Sequence, residues 1–214
     1  MKRPDWLRRQ RDDTPIDAVR YVVLDTELTS LDKRSNRVLS IGAVAMDGTR
    51  IRLQEQFYRV VNPGVAVPTP GVLIHGLRPA DIENGEPPAR VLSELRAFVQ
   101  GAVLVGHFAR IDLNVLRKEL GTIGQTLTNP AICTARIEQW LLRRRPYSEN
   151  VVHHLDNLDL ISIAKRYRLD VQEAHHALQD AFLTARLWQR QIYALQELKV
   201  HTLEQLLRAG KVIV

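Results

Sequence analysis

Residues 21–30 read Tyr21-Val22-Val23-Leu24-Asp25-Thr26-Glu27-Leu28-Thr29-Ser30, four apolar residues running into two carboxylates one position apart. A short run rich in Val, Leu and Tyr predicts a buried strand. The two-residue side-chain period of a strand then puts Asp25 and Glu27 on one face at its end. Two like charges about 5 to 7 Å apart there repel by roughly 2 to 3 kcal/mol at an effective dielectric of about 20, unless protons or cations intervene. A divalent metal is a natural remedy, but an isolated Asp-x-Glu is also a pattern that chance produces at the start of a solvated loop. The rest of the chain decides between these readings.

Downstream, Val38-Leu39-Ser40-Ile41-Gly42-Ala43-Val44-Ala45 predicts a second strand and residues 50–61 a third, with Asp47-Gly48 as the tight turn between them. Three consecutive strands with short turns make an antiparallel meander, closed by Asn62-Pro63-Gly64. Beyond it the pattern alternates. Short helices or turns are predicted at 79–82 and 89–100, a short buried strand at 102–105 and a helix at 111–120. A fifth strand follows at 131–134, then helices at 135–142, 158–167 and 177–195, and a short one at 201–207. A meander followed by alternating helices and buried strands predicts an α/β domain with a mixed sheet flanked by helices. No Gly-rich phosphate loop follows the first strand, which excludes a dinucleotide or P-loop site there.

With 45% hydrophobic and 25% charged residues, 214 residues suffice for one α/β domain with terminal additions. The division expected is a basic N-terminal arm over 1–18, a main domain over 19–195, and a C-terminal helix and tail over 196–214. Net charge is +6 and only Lys2, Lys33, Lys118, Lys165, Lys199 and Lys211 are lysines, so Arg supplies most of the 30 cations. Arg matches phosphate bidentately and stacks on bases, which points to a polyanionic partner. Cys133 is the sole cysteine, so neither an intrachain disulfide nor a multi-Cys metal site forms. No stretch has signal-peptide or membrane-spanning character, so a cytoplasmic location and no membrane partner are expected.

Further chemistry-bearing residues lie at the starts of two predicted helices. Asp112 follows the fourth strand and reaches Asp25 and Glu27 if the first and fourth strands are neighbours. In His175-His176-Ala177-Leu178-Gln179-Asp180-Ala181, Asp180 interrupts an apolar helical stretch and needs a partner, and His175 is close enough to face the same cleft. His176 reads as a capping or surface residue. Four carboxylates without a Cys cluster select hard cations such as Mg²⁺ or Mn²⁺ and suit a two-metal site that clamps an in-line displacement at phosphorus. A histidine, with a reference pKa of about 6.5, can take the proton of the attacking water.

The motifs Asp25-Thr26-Glu27, His107-x4-Asp112 and His175-x-Ala177-Leu178-x-Asp180-Ala181, in this order and spacing, resemble the DEDD-type 3′-to-5′ exonucleases of the histidine subtype. That family includes the DNA polymerase III epsilon proofreading subunit, ribonuclease T and oligoribonuclease. The similarity extends over residues 19–195 and takes in Ile41-Gly42-Ala43 and Ile74-His75-Gly76-Leu77. It implies a ribonuclease H-like fold, two Mg²⁺ or Mn²⁺ ions, and release of 5′-mononucleotides from single-stranded 3′ ends. By motif, Asp25, Glu27, Asp112 and Asp180 would hold the metals and His175 would be the general base. Thr26, Leu28, His75, Gly76 and His107 would contact substrate.

The chain departs from the family at Leu28, where Thr is frequent, at Phe108, where Asn is usual, and at Ile111, where Phe is usual. The expectation is a proofreading or repair exonuclease acting on DNA in preference to RNA, with a DNA polymerase or other replication protein as a partner. An RNA-trimming enzyme and a non-catalytic nucleic-acid or polymerase-binding module are the alternatives.

Overall fold

A computed structural model of the chain describes residues 13–30, 32, 34–65, 76–144, 157–171 and 175–212. Most of the basic arm, His75, Arg145 and the last two tail residues lie outside them. The strands are Arg20–Leu28 (β1), Val38–Asp47 (β2), Arg50–Val60 (β3), Val103–Gly106 (β4) and Ala131–Cys133 (β5), in the order β3-β2-β1-β4-β5. The meander strands β1, β2 and β3 pair antiparallel, while β4 runs parallel to β1 and β5 parallel to β4. This is the mixed α/β sheet that the strand pattern predicts. The Asp47-Gly48 turn requires glycine: Gly48 stands at φ +55°, its amide donates to Val19 O at 2.8 Å, and a Cβ would collide with the Asp17 backbone.

Helices Pro79–Glu83 (α1), Pro88–Phe98 (α2), Arg110–Thr122 (α3), Thr134–Leu142 (α4), Leu160–Arg166 (α5), Ala177–Glu197 (α6) and Leu203–Gly210 (α7) surround the sheet. Strand alternation divides the core into two layers. Val22, Leu24 and Leu104 face Leu92, Leu95, Leu113 and Leu116 of α2 and α3. Tyr21, Val23, Val103 and Val105 face Ile137 and Leu141 of α4, Trp188 and Ile192 of α6, and Leu203 and Leu206 of α7. Trp188 is fully buried and meets the Tyr21 ring edge-on at 5.4 Å, anchoring α6 across β1. Leu187 and Leu183 of α6 also receive Ile163 of α5. Phe182 of α6 is only partly buried and lines a groove of about 340 Å³ with Leu53 and Leu178.

Two details differ from the sequence reading. Ile16, counted with a polar arm, is fully buried: a lone apolar residue has no periodicity to signal burial. Its carbonyl accepts the Tyr21 hydroxyl at 2.8 Å. Its amide donates to His201 O, and the Leu203 amide donates to Thr14 O, both at 2.9 Å, so the start of the domain pairs with the approach to α7. The first strand also runs past Leu24, because Asp25 and Glu27 continue to pair with Gly42 and Ser40. No helix of the described residues is long and apolar enough to cross a membrane.

Candidate active site

The site forms where β1 outruns its neighbour. The last parallel pair is Val23 with Val105, and β4 ends at Gly106. The amide of Thr26 therefore has no strand carbonyl on that side, and a buried amide must find an acceptor. Asp112, in the first turn of α3, supplies it: Oδ1 accepts the Thr26 amide at 3.1 Å and the Thr26 hydroxyl at 2.6 Å. The carboxylate stands in for the missing strand and is itself 6% exposed. Thr26 is thus a support for Asp112.

On the opposite face, Asp25 and Glu27 extend the row begun by Tyr21 and Val23, toward α6. The residue beside Asp25 on β2 is Gly42, where a Cβ would fall on the Ala177 carbonyl carbon and the Leu178 nitrogen. The absent side chain lets the first turn of α6 press onto the sheet and carries Asp180 to the strand end. Oxygens of Asp25, Glu27 and Asp180 lie within 4.8 Å of one another.

These carboxylates perturb each other strongly. Burial, then the charges of Asp112, Asp180 and Glu27, hold the Asp25 carboxyl well above the ordinary range. Burial, then Asp180 and Asp112, push Glu27 up to about 7. Burial raises Asp112 to about 6 against the opposing hydrogen bonds from Thr26. Asp180 is also raised by burial, although the His175 amide and the two histidines work against the shift. A divalent cation fits this donor set: all four side chains offer hard oxygen, and the charges acting on Asp25 and Glu27 are other carboxylates.

His175 is exposed and stands at φ +75°, a left-handed conformation uncommon outside glycine, and its amide donates to Asp180 Oδ2 at 2.9 Å. It lines the same cleft of about 390 Å³ as Asp25, Glu27, Asp112 and Asp180, together with Thr26, Leu28, Thr29, Ser30, His107, Phe108, Ile111 and Leu160. His176 takes the N-cap position of α6 without a capping hydrogen bond from its side chain. Its ring instead stacks on Tyr58 at 4.6 Å, with 24° between the planes.

The other predicted substrate contacts divide. Leu28 is on the cleft wall. Gly76 is exposed, at φ +66°, and is not on that wall. His75 lies outside the described residues. His107 has both ring nitrogens engaged, Nδ1 with Thr134 Oγ1 at 2.8 Å and Nε2 with Leu158 O at 2.9 Å, and burial lowers its pKa to about 4. With neither nitrogen left for a nucleotide, the ring ties the end of β4 to the segment leading into Leu160.

Phe108 and Ile111 are residues that the sequence marked only as departures. They are 46% and 44% exposed, unusual for large apolar side chains, and both face the cleft. Phe108 adopts φ +48° and packs edge-on against His107 at 4.5 Å. Adjacent exposed apolar groups beside a carboxylate cluster suit the flat face of a base.

Comparison with known proteins agrees with this arrangement. The chain is 33% identical over 189 residues to a DNA polymerase III subunit epsilon-like protein of Rhodobacter capsulatus, covering 86% of this chain and 25% of that one. It is 29% identical over 179 residues to DNA polymerase III subunit epsilon of Aquifex aeolicus, covering 83% and 81%. The chain spans a quarter or less of the length of several other relatives, such as PolC-type DNA polymerase III of Thermotoga maritima. Its fold superposes on the zinc-bound form of E. coli exonuclease I in complex with single-stranded DNA with a TM-score of 0.69 at 18% identity, over 85% of this chain and 43% of the other. The exonuclease family profile matches residues 22–188, a span that contains β2 to β5, all but the first two residues of β1, the four carboxylates of the cleft and His175. On that match the chain belongs to the RNase_T exonuclease family.

Proposed function

We propose that the protein is a metal-dependent 3′-to-5′ exonuclease that removes 5′-mononucleotides from single-stranded nucleic acid, with DNA favoured over RNA. The observation that carries this reading is the convergence of Asp25, Glu27 and Asp180 oxygens within 4.8 Å, with Asp112 locked beside them by Thr26. Asp25, Glu27, Asp112 and Asp180 would hold two Mg²⁺ or Mn²⁺ ions. Such a pair, when bound, stabilises charge on the attacking and leaving oxygens of an in-line displacement at phosphorus.

The remaining roles belong to the chain's own residues. His175, exposed at the cleft edge, takes the proton of the attacking water. Leu28, Phe108 and Ile111 form the apolar wall against which the terminal nucleotide rests. His107 fixes that wall from beneath. The excess of Arg draws the polyanion toward the cleft. A replication or repair role beside a DNA polymerase is supported by the relatives named as DNA polymerase III subunits.

The test is hydrolysis of matched 3′-labelled and 5′-labelled single-stranded DNA and RNA, with Mg²⁺ or Mn²⁺ and with chelator, by the wild-type chain and Asp25→Ala. The expected result is stepwise, metal-dependent shortening from the 3′ end, faster on DNA and reduced at least a thousandfold in the variant. Shortening from the 5′ end, or undiminished hydrolysis by Asp25→Ala, would overturn it.

A further inference from the structure

On the sheet face that carries Asp25, the adjoining residue on β2 is Gly42 and the next, on β3, is Tyr58. Gly42 admits the backbone of α6 onto the sheet, so Tyr58, one strand further out, stands beside the helix start. Its ring lies nearly parallel to that of His176 at 4.6 Å. His176 Nδ1 is buried and has no hydrogen-bond partner among the described residues, and the side chain makes no capping bond to α6. Packing against Tyr58 is therefore what orients this ring.

The preceding residue is the strained one. His175 holds φ +75° while His176 is extended at φ −128° and ψ 114°, so the direction of the backbone changes sharply across a single peptide. A left-handed conformation carries a steric penalty in any residue with a Cβ, and His175 is exposed, so its own side chain is not packed in place. Its amide is held by Asp180 Oδ2, an oxygen of a group that also belongs to the carboxylate cluster. Nothing in the sequence couples Tyr58 to residues 175 and 176, which lie more than a hundred positions away.

We propose that Tyr58 and His176 are positioning residues, whose ring stack pins the peptide after His175 and so holds the His175 imidazole over the cleft. The inference rests on the reading of His175 as the proton acceptor. It adds that the acceptor's placement is set from the outer strand of the meander, by ring contact and not by the tyrosine hydroxyl.

The experiment compares the full-length wild type with Tyr58→Leu, Tyr58→Phe and His176→Ala. One readout is the hydrogen-exchange rate of the His175 amide, followed by NMR in the metal-free protein. The other is kcat and KM on a single-stranded oligonucleotide with Mn²⁺. Tyr58→Leu and His176→Ala are expected to speed His175 amide exchange at least tenfold and to lower kcat ten- to a hundredfold with KM within twofold. Tyr58→Phe should match the wild type in both.

Unchanged exchange at His175 in a folded Tyr58→Leu or His176→Ala protein would overturn the proposal, as would a Tyr58→Phe variant as impaired as Tyr58→Leu. Should Tyr58→Leu fail to fold, His176→Ala, which removes the other ring from an uncapped position, decides alone. A wild-type chain without nuclease activity would count against the exonuclease reading itself, and the exchange rates would still report on the stack.

Discussion

Asp112 accepts both the amide and the hydroxyl of Thr26 through a single oxygen, at 3.1 and 2.6 Å, so the middle residue of Asp25-Thr26-Glu27 binds the third carboxylate while its two neighbours present theirs. Strand alternation makes this division unavoidable: Thr26 points away from the face that Asp25 and Glu27 share. Replacing Thr26 by Val removes one of the two bonds and leaves a buried carboxylate under-satisfied. A loss of about 1 to 3 kcal/mol is expected, with turnover down about tenfold, whereas Thr26→Ser should retain most of both. Thermal melts beside steady-state rates check it, and a Val variant equal to wild type in both would show that the hydroxyl is idle.

The clustered carboxylates make a prediction about pH. Glu27 is pushed up to about 7 and Asp112 to about 6, with Asp25 also raised. Each therefore binds protons more tightly in the folded chain than in the unfolded one. That contribution is fully present below the ordinary carboxylate pKa and is lost as pH rises through the folded value. The chelated protein should accordingly melt about 5 °C or more lower at pH 8 than at pH 5, a domain of this size shifting by about 2 to 4 °C per kcal/mol. Asp25→Asn should flatten the profile, and millimolar Mn²⁺ should raise the melting temperature at pH 8 far more than at pH 5. A profile indifferent to both would mean the repulsion is not a cost to the fold.

For His175 the expectation is a split between binding and turnover. His175→Ala should lower kcat by about a hundred- to a thousandfold, within the range general-base groups contribute, with Mn²⁺ affinity within a few-fold of wild type. Isothermal titration with Mn²⁺ separates the two, and a collapse of metal affinity would argue for a ligand in place of a base.

Gly42→Ala should be disproportionately harmful. The added methyl falls on the Ala177 carbonyl carbon and the Leu178 nitrogen, which are helix backbone and cannot rotate aside. Overpacking of this kind costs about 1 to 3 kcal/mol. Because α6 carries Asp180, metal affinity should drop as well. Stability loss with an unaltered Mn²⁺ affinity would mean that α6 shifts without carrying its carboxylate away.

Phe108→Asn should trade affinity for stability. Asn tolerates φ +48° better than Phe, so the melting temperature should rise by about 2 °C or more, on a relief of about 1 kcal/mol. Loss of the exposed ring should raise KM for a single strand at least threefold, by the usual worth of a stacked base. An unchanged KM would remove Phe108 from the substrate wall.

How much of this was legible depended on periodicity. The meander, its Asp47-Gly48 turn and the two short buried strands followed from strand length and turn chemistry. Asp25, Glu27, Asp112, Asp180 and His175 were visible because charge or imidazole interrupts apolar runs at element ends. Pairing was not legible: a strand that continues through Asp25 and Glu27 looks like one that stops at Leu24, since backbone hydrogen bonds leave no mark on composition. The role of Thr26 followed only once β4 was seen to end at Gly106. The Tyr58–His176 contact and the strain at Phe108 depend on tertiary approach and backbone dihedrals, for which residue type gives no signal. His107, expected from its motif to contact substrate, has its ring nitrogens occupied by Thr134 and Leu158, partners that residue type does not reveal.

The pairing of residues 14–16 with 201–203 has a mechanical consequence. Residues 14 and 203 sit at the same end of that short ladder, so tension applied between the segment before Thr14 and α7 loads the Leu203–Thr14 bond first and the Ile16–His201 bond only after it breaks. Bonds loaded in succession give way at lower force than bonds sheared together. Under such a load the clasp opens one bond at a time, on the α4, α6 and α7 side of the sheet, where Ile16 is packed with Tyr21 and Val23.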